Sequence, residues 1–185
     1  QYSEGLVADT NFTTPTLVTR SSGFVEGDGN SRWPDLSGSG NYAVYATRAH
    51  NLAAMDGPAN EDIVLTNLIT GQTELISTPQ CILCTANGDS SEPSITQDGR
   101  YVVFSSDADN MTAAGFMFGS HIYRVDRAAT ELIGKLDFID GGFAGGFRWD
   151  ANDNCYRPDI SDDGKFIVFE SEATNLITTD DASHW

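Results

Sequence analysis

The chain has 185 residues, a length that favours one domain with enough interior for a core. Its formal net charge is −17, from 27 acidic against 10 basic side chains, and Lys135 and Lys165 are its only lysines. Such a surface repels nucleic acid and anionic membranes, which need clustered Lys and Arg, and no apolar run reaches the ~18 residues of a membrane span.

Residues 14–20 read as an orphan strand with no earlier strand to join, the last of a unit that the rest of the chain repeats. The first full copy occupies residues 31–77. It opens on Pro34-Asp35-Leu36-Ser37, turns at Gly38-Ser39-Gly40, and continues as Tyr42-Ala43-Val44-Tyr45-Ala46-Thr47. Asn51-Leu52 follows; a third strand fits residues 62–67 and a fourth fits 73–77. The second copy occupies 90–137. Pro93-Ser94-Ile95-Thr96 leads into Gln97-Asp98-Gly99, then Tyr101-Val102-Val103-Phe104-Ser105-Ser106, then Asn110-Met111, with further strands over 121–126 and 130–135. The third copy, 155–185, is partial: Pro158-Asp159-Ile160-Ser161, Asp163-Gly164, Phe166-Ile167-Val168-Phe169, Asn175-Leu176.

The three copies start at Pro34, Pro93 and Pro158, roughly sixty residues apart, and repeats on that scale mean a propeller, solenoid or array. Asp-Gly supplies the positive φ of a tight hairpin. The aromatic and β-branched runs after it are apolar on both faces, which marks strands buried between neighbours. No segment carries a 3.6-residue apolar period. Four short antiparallel strands per copy make one propeller blade, so the fold class is all-β, a β-propeller segment of two full repeats with partial repeats at both ends. Such a chain starts and stops within a blade, as a piece of a longer protein or a chain completed by other chains would.

Pro93-Ser94-Ile95-Thr96-Gln97-Asp98-Gly99-Arg100-Tyr101-Val102-Val103-Phe104-Ser105-Ser106, followed by His121-Ile122-Tyr123-Arg124-Val125-Asp126, resembles the WD40-like repeats of TolB-type bacterial propellers. The resemblance covers residues 16–178. It implies a propeller fold, found in binding proteins, in peptidase accessory domains and in surface proteins. Ala128-Ala129 departs from the first copy, which has the turn Thr70-Gly71-Gln72 there.

Cys81-Ile82-Leu83-Cys84 has no second Cys pair for a zinc site and no His at position 85 for haem attachment. A local Cys81–Cys84 disulfide is the expectation, with Cys155 left over; a bond from Cys155 to Cys81 or Cys84 across blades is the alternative. Asn11-Phe12-Thr13 and Asn110-Met111-Thr112 match the glycosylation pattern. Asn110 recurs as Asn51 and Asn175, however, which fits a turn residue bonding its local backbone. Residues 141–147, Gly-Gly-Phe-Ala-Gly-Gly-Phe, read as a mobile surface loop with two exposed aromatics.

No catalytic motif occurs, and His50, His121 and His184 do not recur in register. His121 stands where the first copy has Asp62, at a strand start. Strand parity gathers the acidic loops on one rim. There Asp28, Asp56, Asp62, Asp89, Asp150 and Asp153 are candidate Ca²⁺ ligands, with ordinary turn chemistry as the alternative. The expected function is a non-enzymatic module, periplasmic, surface-bound or extracellular, for protein or glycan binding or for assembly. The alternatives are the accessory propeller of a hydrolase and a subunit that polymerises with further copies of itself by completing blades into a filament.

Overall fold

The computed structural model describes residues 2–8, 15–53, 60–81, 84–112, 119–131, 135–144 and 147–176. No α-helix occurs among them. The first full sheet runs in the order β3 (Ser31–Leu36), β4 (Tyr42–Thr47), β5 (Asp62–Asn67), β6 (Thr73–Leu75). The second repeats it with β7 (Ser90–Ile95), β8 (Tyr101–Ser106), β9 (His121–Asp126) and β10 (Leu136–Phe138). Every pairing is antiparallel, as a sheet built from successive hairpins must be. Two two-stranded sheets flank these blades: β1 (Leu6–Val7) with β2 (Thr16–Leu17), and β13 (Cys155–Ile160) with β14 (Ile167–Ser171).

Four expectations change. The strand within residues 14–20 is not alone, because Leu17 pairs with Leu6 and Val18 donates to the Gly5 carbonyl, the same bond Ile76 makes to Ile63. The fourth strand of the second full blade lies at Leu136–Phe138 rather than 130–135: without the Gly71 turn, the connection from β9 lengthens before Leu136 pairs with Val125. The glycine-rich segment is not a loop but a hairpin, β11 (Gly141–Ala144) with β12 (Phe147–Asp150). The side chains of Phe143 and Phe147 lie outside the described residues. Finally, β14 is not buried on both faces: Phe166 is 71% and Val168 65% exposed, since among the described residues no further blade packs on them.

The hairpins follow from their glycines. Gly40, Gly99 and Gly164 have φ of 70°, 75° and 72°, a region that costs other residues strain. Asp98 and Asp163 brace their turns by accepting from Thr96 and Ser161 hydroxyls and from the N–H of Arg100 and Lys165. Successive hairpins also bond to one another: Ser39 N–H donates to the Gln97 carbonyl, and Gln97 N–H to that of Asp162.

The core lies between stacked blades. Val44, Ala46, Ile63 and Leu65 face Val102, Phe104, Tyr123 and Val125, all essentially buried. Because strand side chains alternate, Tyr45 and Val64 point the other way and pack with Val18 and Leu52. Ile122 does the same for the next blade, against Cys155 and Ala173. The two full blades bury both faces, so each is held only where a neighbour lies against it.

Candidate functional site

The acidic rim resolves into two kinds of structural bond. Asn51, Asn110 and Asn175 each reach back to the segment before strand one of their own blade. Their side-chain amides donate to the carbonyls of Glu26, Thr85 and Asp150 at 2.8, 2.9 and 2.7 Å. Their oxygens accept the N–H groups of Asp28, Asn87 and Asn152 at 3.1, 3.1 and 3.0 Å. The side-chain oxygens of Asp28, Asn87 and Asn152 return the bond, accepting from the N–H of His50, Asp109 and Thr174. The repeated Asn therefore clamps a segment distant in sequence rather than its local backbone. Two residues on, Asn30, Asp89 and Asn154 accept the N–H of Ser3, Glu61 and Ser120 in the preceding blade, at 2.8, 2.8 and 3.0 Å. A pattern of Asp-Gly-Asn, Asn-Gly-Asp and Asn-Asp-Asn was present in the sequence, and its alternation of Asp with Asn shows that these bonds need an oxygen acceptor, not a charge.

The candidate Ca²⁺ ligands sit within this scheme. Asp28 belongs to a clamp and Asp89 to a stitch between blades, where it also pairs with Arg48. Asp62 is buried and accepts the Ser77 hydroxyl at 2.6 Å. Asp150 contributes its main-chain carbonyl to the Asn175 clamp, and Asp153 accepts the N–H of Asn154. Asp56 lies outside the described residues. Among the described residues, no three His, Cys, Asp or Glu side chains come together as a metal site.

Behind the rim, the His121–Asp140 pair occupies the place of Asp62–Ser77 one blade on. Its Nδ1 and Oδ2 atoms are 2.9 Å apart, and both residues are buried. Cys155 is free and buried beside it, and burial pushes its thiol up to about 12, which disfavours the thiolate at neutral pH. The Cα atoms of Cys81 and Cys84 are 5.6 Å apart, a separation a disulfide spans.

A third recurring feature lies on strand one. The ladder shifts register between Arg32 and Asp35, between Ser91 and Ser94, and between Tyr156 and Asp159. Proline explains the break: Pro34, Pro93 and Pro158 have no N–H to donate. The residue before each proline takes a left-handed backbone, with φ of 49° at Trp33, 54° at Glu92 and 51° at Arg157. Non-glycine residues in that region cost of order 1–3 kcal/mol each, strain that tends to be kept where it aims a side chain. These three residues, their prolines, and Asp35, Ser94 and Asp159 line one open concavity of about 440 Å³.

Within it, the Arg157 N–H donates to Glu92 at 2.7 Å, while its guanidinium bonds Glu170 at 3.1 Å, which raises its pKa. Asp35 accepts from Leu36 and, across blades, from Ile95 at 3.0 Å. Asp159 accepts from Ile160 and from the Ser94 hydroxyl at 2.8 Å. Trp33 is 40% exposed, and the Arg32 guanidinium lies 4.0 Å from its ring centroid, anchored in turn by buried Glu61. The lining thus combines carboxylates, one guanidinium, one hydroxyl and one indole. Sequence reasoning passed over Trp33, Glu92 and Arg157. The available signal was that each copy keeps its proline while the residue before it changes from Trp to Glu to Arg.

Stacked four-stranded blades around such a concavity define a β-propeller. Neither a protein-family model nor a curated protein matches the sequence. Among solved structures, the chain is similar to a putative TolB from Agrobacterium tumefaciens, at 18% identity and a TM-score of 0.55 over 91% of this chain and 45% of that one. This likeness shows the fold, a β-propeller. TolB from Acinetobacter baumannii aligns at 18% identity with a TM-score of 0.45, over 92% of this chain and 43% of that one. An acylaminoacyl peptidase in complex with Z-Gly-Gly-Phe-chloromethyl ketone aligns at 15% identity with a TM-score of 0.44, over 85% and 20%. The chain thus spans less than half the length of either TolB structure.

Proposed function

We propose that this propeller is a non-enzymatic binding module whose macromolecular partner seats in the concavity formed by Trp33, Glu92 and Arg157. One observation carries the reading: three equivalent bulges hold the backbone in the same strained conformation yet present three chemically different side chains. A position that served folding alone would be expected to carry glycine, which takes this φ at no steric cost. Constant scaffold with variable side chains is the pattern of a recognition surface. A Cys81–Cys84 disulfide, which their 5.6 Å Cα separation permits, goes with a place in an oxidising compartment, in the periplasm, at the cell surface or outside the cell.

The test replaces Trp33, Glu92 and Arg157 together by glycine. Wild type and variant are then compared on peptide and glycan arrays. Binding lost from a variant that still melts cooperatively supports the reading. Partners retained at full affinity by the triple variant would place the binding surface elsewhere.

A further inference from the structure

We infer that the ligand of this concavity is a cationic peptide segment, one that places a Lys or Arg side chain among Trp33, Asp35, Glu92 and Asp159; the inference rests on the binding reading above. Four ionisable side chains line the space, three of them acidic. The one cation, Arg157, is engaged by Glu92 and by Glu170 outside the lining. What remains is a negative field in a concave site, within a chain of net charge −17. Concavity focuses such a field on an incoming cation.

The aromatic component points the same way. An indole face attracts a guanidinium or an ammonium, and Trp33 already carries Arg32 at 4.0 Å. Arg32 is itself neutralised by its bond to buried Glu61, so it does not cancel the negative field of the lining. The 40% exposure of Trp33 leaves surface for a ligand. A volume of about 440 Å³ spread over three blades accommodates several linked residues rather than one side chain. An anionic segment would meet three carboxylates, and a neutral sugar would find a single aromatic face.

Calorimetry on the 185-residue chain tests this with blocked trilysine, triarginine, triglutamate and triglycine peptides and with maltotriose. The variants are Trp33→Gly and Glu92→Gln, each checked for folding by thermal melting. Trilysine and triarginine are expected to bind, with affinity falling about tenfold in either variant, the scale of one lost cation–π or charge contact. One result overturns the inference but leaves the concavity as a binding site: triglutamate, triglycine or maltotriose binding more tightly than the cationic peptides, with either variant weakening that binding. Cationic peptides that bind both variants as well as wild type also overturn it, since that is diffuse attraction to an acidic surface. Failure of all five probes to bind counts against both readings.

Discussion

Gly99 lies against the ring of Tyr42 in the preceding blade: a Cβ built on Gly99 would come within 2.8 Å of Tyr42 Cε2. Gly164 stands in the same relation to Tyr101, where the corresponding distance is 3.0 Å. The hairpin glycine therefore does two things. It supplies positive φ within its own blade and leaves room for the aromatic ring of the blade before. Arg127 covers the Tyr42 ring at 4.6 Å, so the ring cannot move outward freely. Gly99→Val adds backbone strain and overpacking together, each of order 1–3 kcal/mol, so a loss of about 2–5 kcal/mol is expected in urea unfolding. A loss below about 0.5 kcal/mol would show that the close approach relaxes without cost.

The Asn clamps set the second expectation. Asn110→Ala removes two hydrogen bonds at the molecular surface and is expected to cost about 1 kcal/mol, with Asn51→Ala similar. The two sites share no partner, so the double variant should lose the sum of both. Chemical denaturation of the two single variants and the double variant measures this, and strong coupling between the sites would contradict independent clamps. Attachment of a glycan to the Asn110 amide would break the same clamp, so the native protein is expected to carry none there by mass spectrometry.

Glycine normally destabilises a strand, but the bulges invert that rule. Glu92→Gly relieves a left-handed backbone at φ 54° while losing the carboxylate that receives the Arg157 N–H. The two effects are of similar size, so the variant is expected within about 1 kcal/mol of wild type. Glycine at Ile95, in the same strand with its side chain in the core, should cost about 2–5 kcal/mol. Equal losses at the two positions would mean that the bulge stores no strain.

The cysteines separate by chemistry. Without reductant, peptide mapping is expected to find Cys81 and Cys84 in one oxidised fragment. Cys155 should resist thiol reagents at neutral pH in the folded protein and react at once in urea, because burial holds its thiol near 12. Rapid labelling of native Cys155 would overturn this.

Stability should fall in acid. Asp126 is held below the usual carboxylate value by its hydrogen bonds to Arg100, Asp98 by the Arg100 N–H, and Asp163 down to about 2 by Lys165. Folded values below unfolded ones mean stability that is complete above the unfolded value of ~3.9 and is lost as pH drops through the folded values. Urea midpoints should therefore be flat from pH 7 to about 5 and decline between about 4 and 2. Asp98 and Asp163 are exposed, and Asp126 is half-buried beside an exposed Arg100, so solvent screening keeps each share small. Asp126→Asn should shallow the decline, and an unchanged slope would refute its part in it.

The sequence by itself determined the local structure. Strands β5 and β9 fall where the spacing from Asn51 and Asn110 puts them, and the hairpins turn at Gly99 and Gly164 because only glycine takes that φ cheaply. These features repeat, and local backbone preference is enough to read them. Tertiary structure decided what the repeated polar residues do. Asn110 looked like a turn residue because its partners, Thr85 and Asn87, are more than twenty positions away and only the fold brings them near. The same holds for Leu6 with Leu17, and for β14, whose apolar sequence implies burial that only a neighbouring blade can provide. The concavity proposed as a binding surface was the least legible part. Trp33, Glu92 and Arg157 share no chemistry, and their common feature is a backbone conformation and an axis around which three blades place them. Periodicity exposes positions that stay the same, whereas a recognition site is built from those that differ, and blade stacking alone brings the three together.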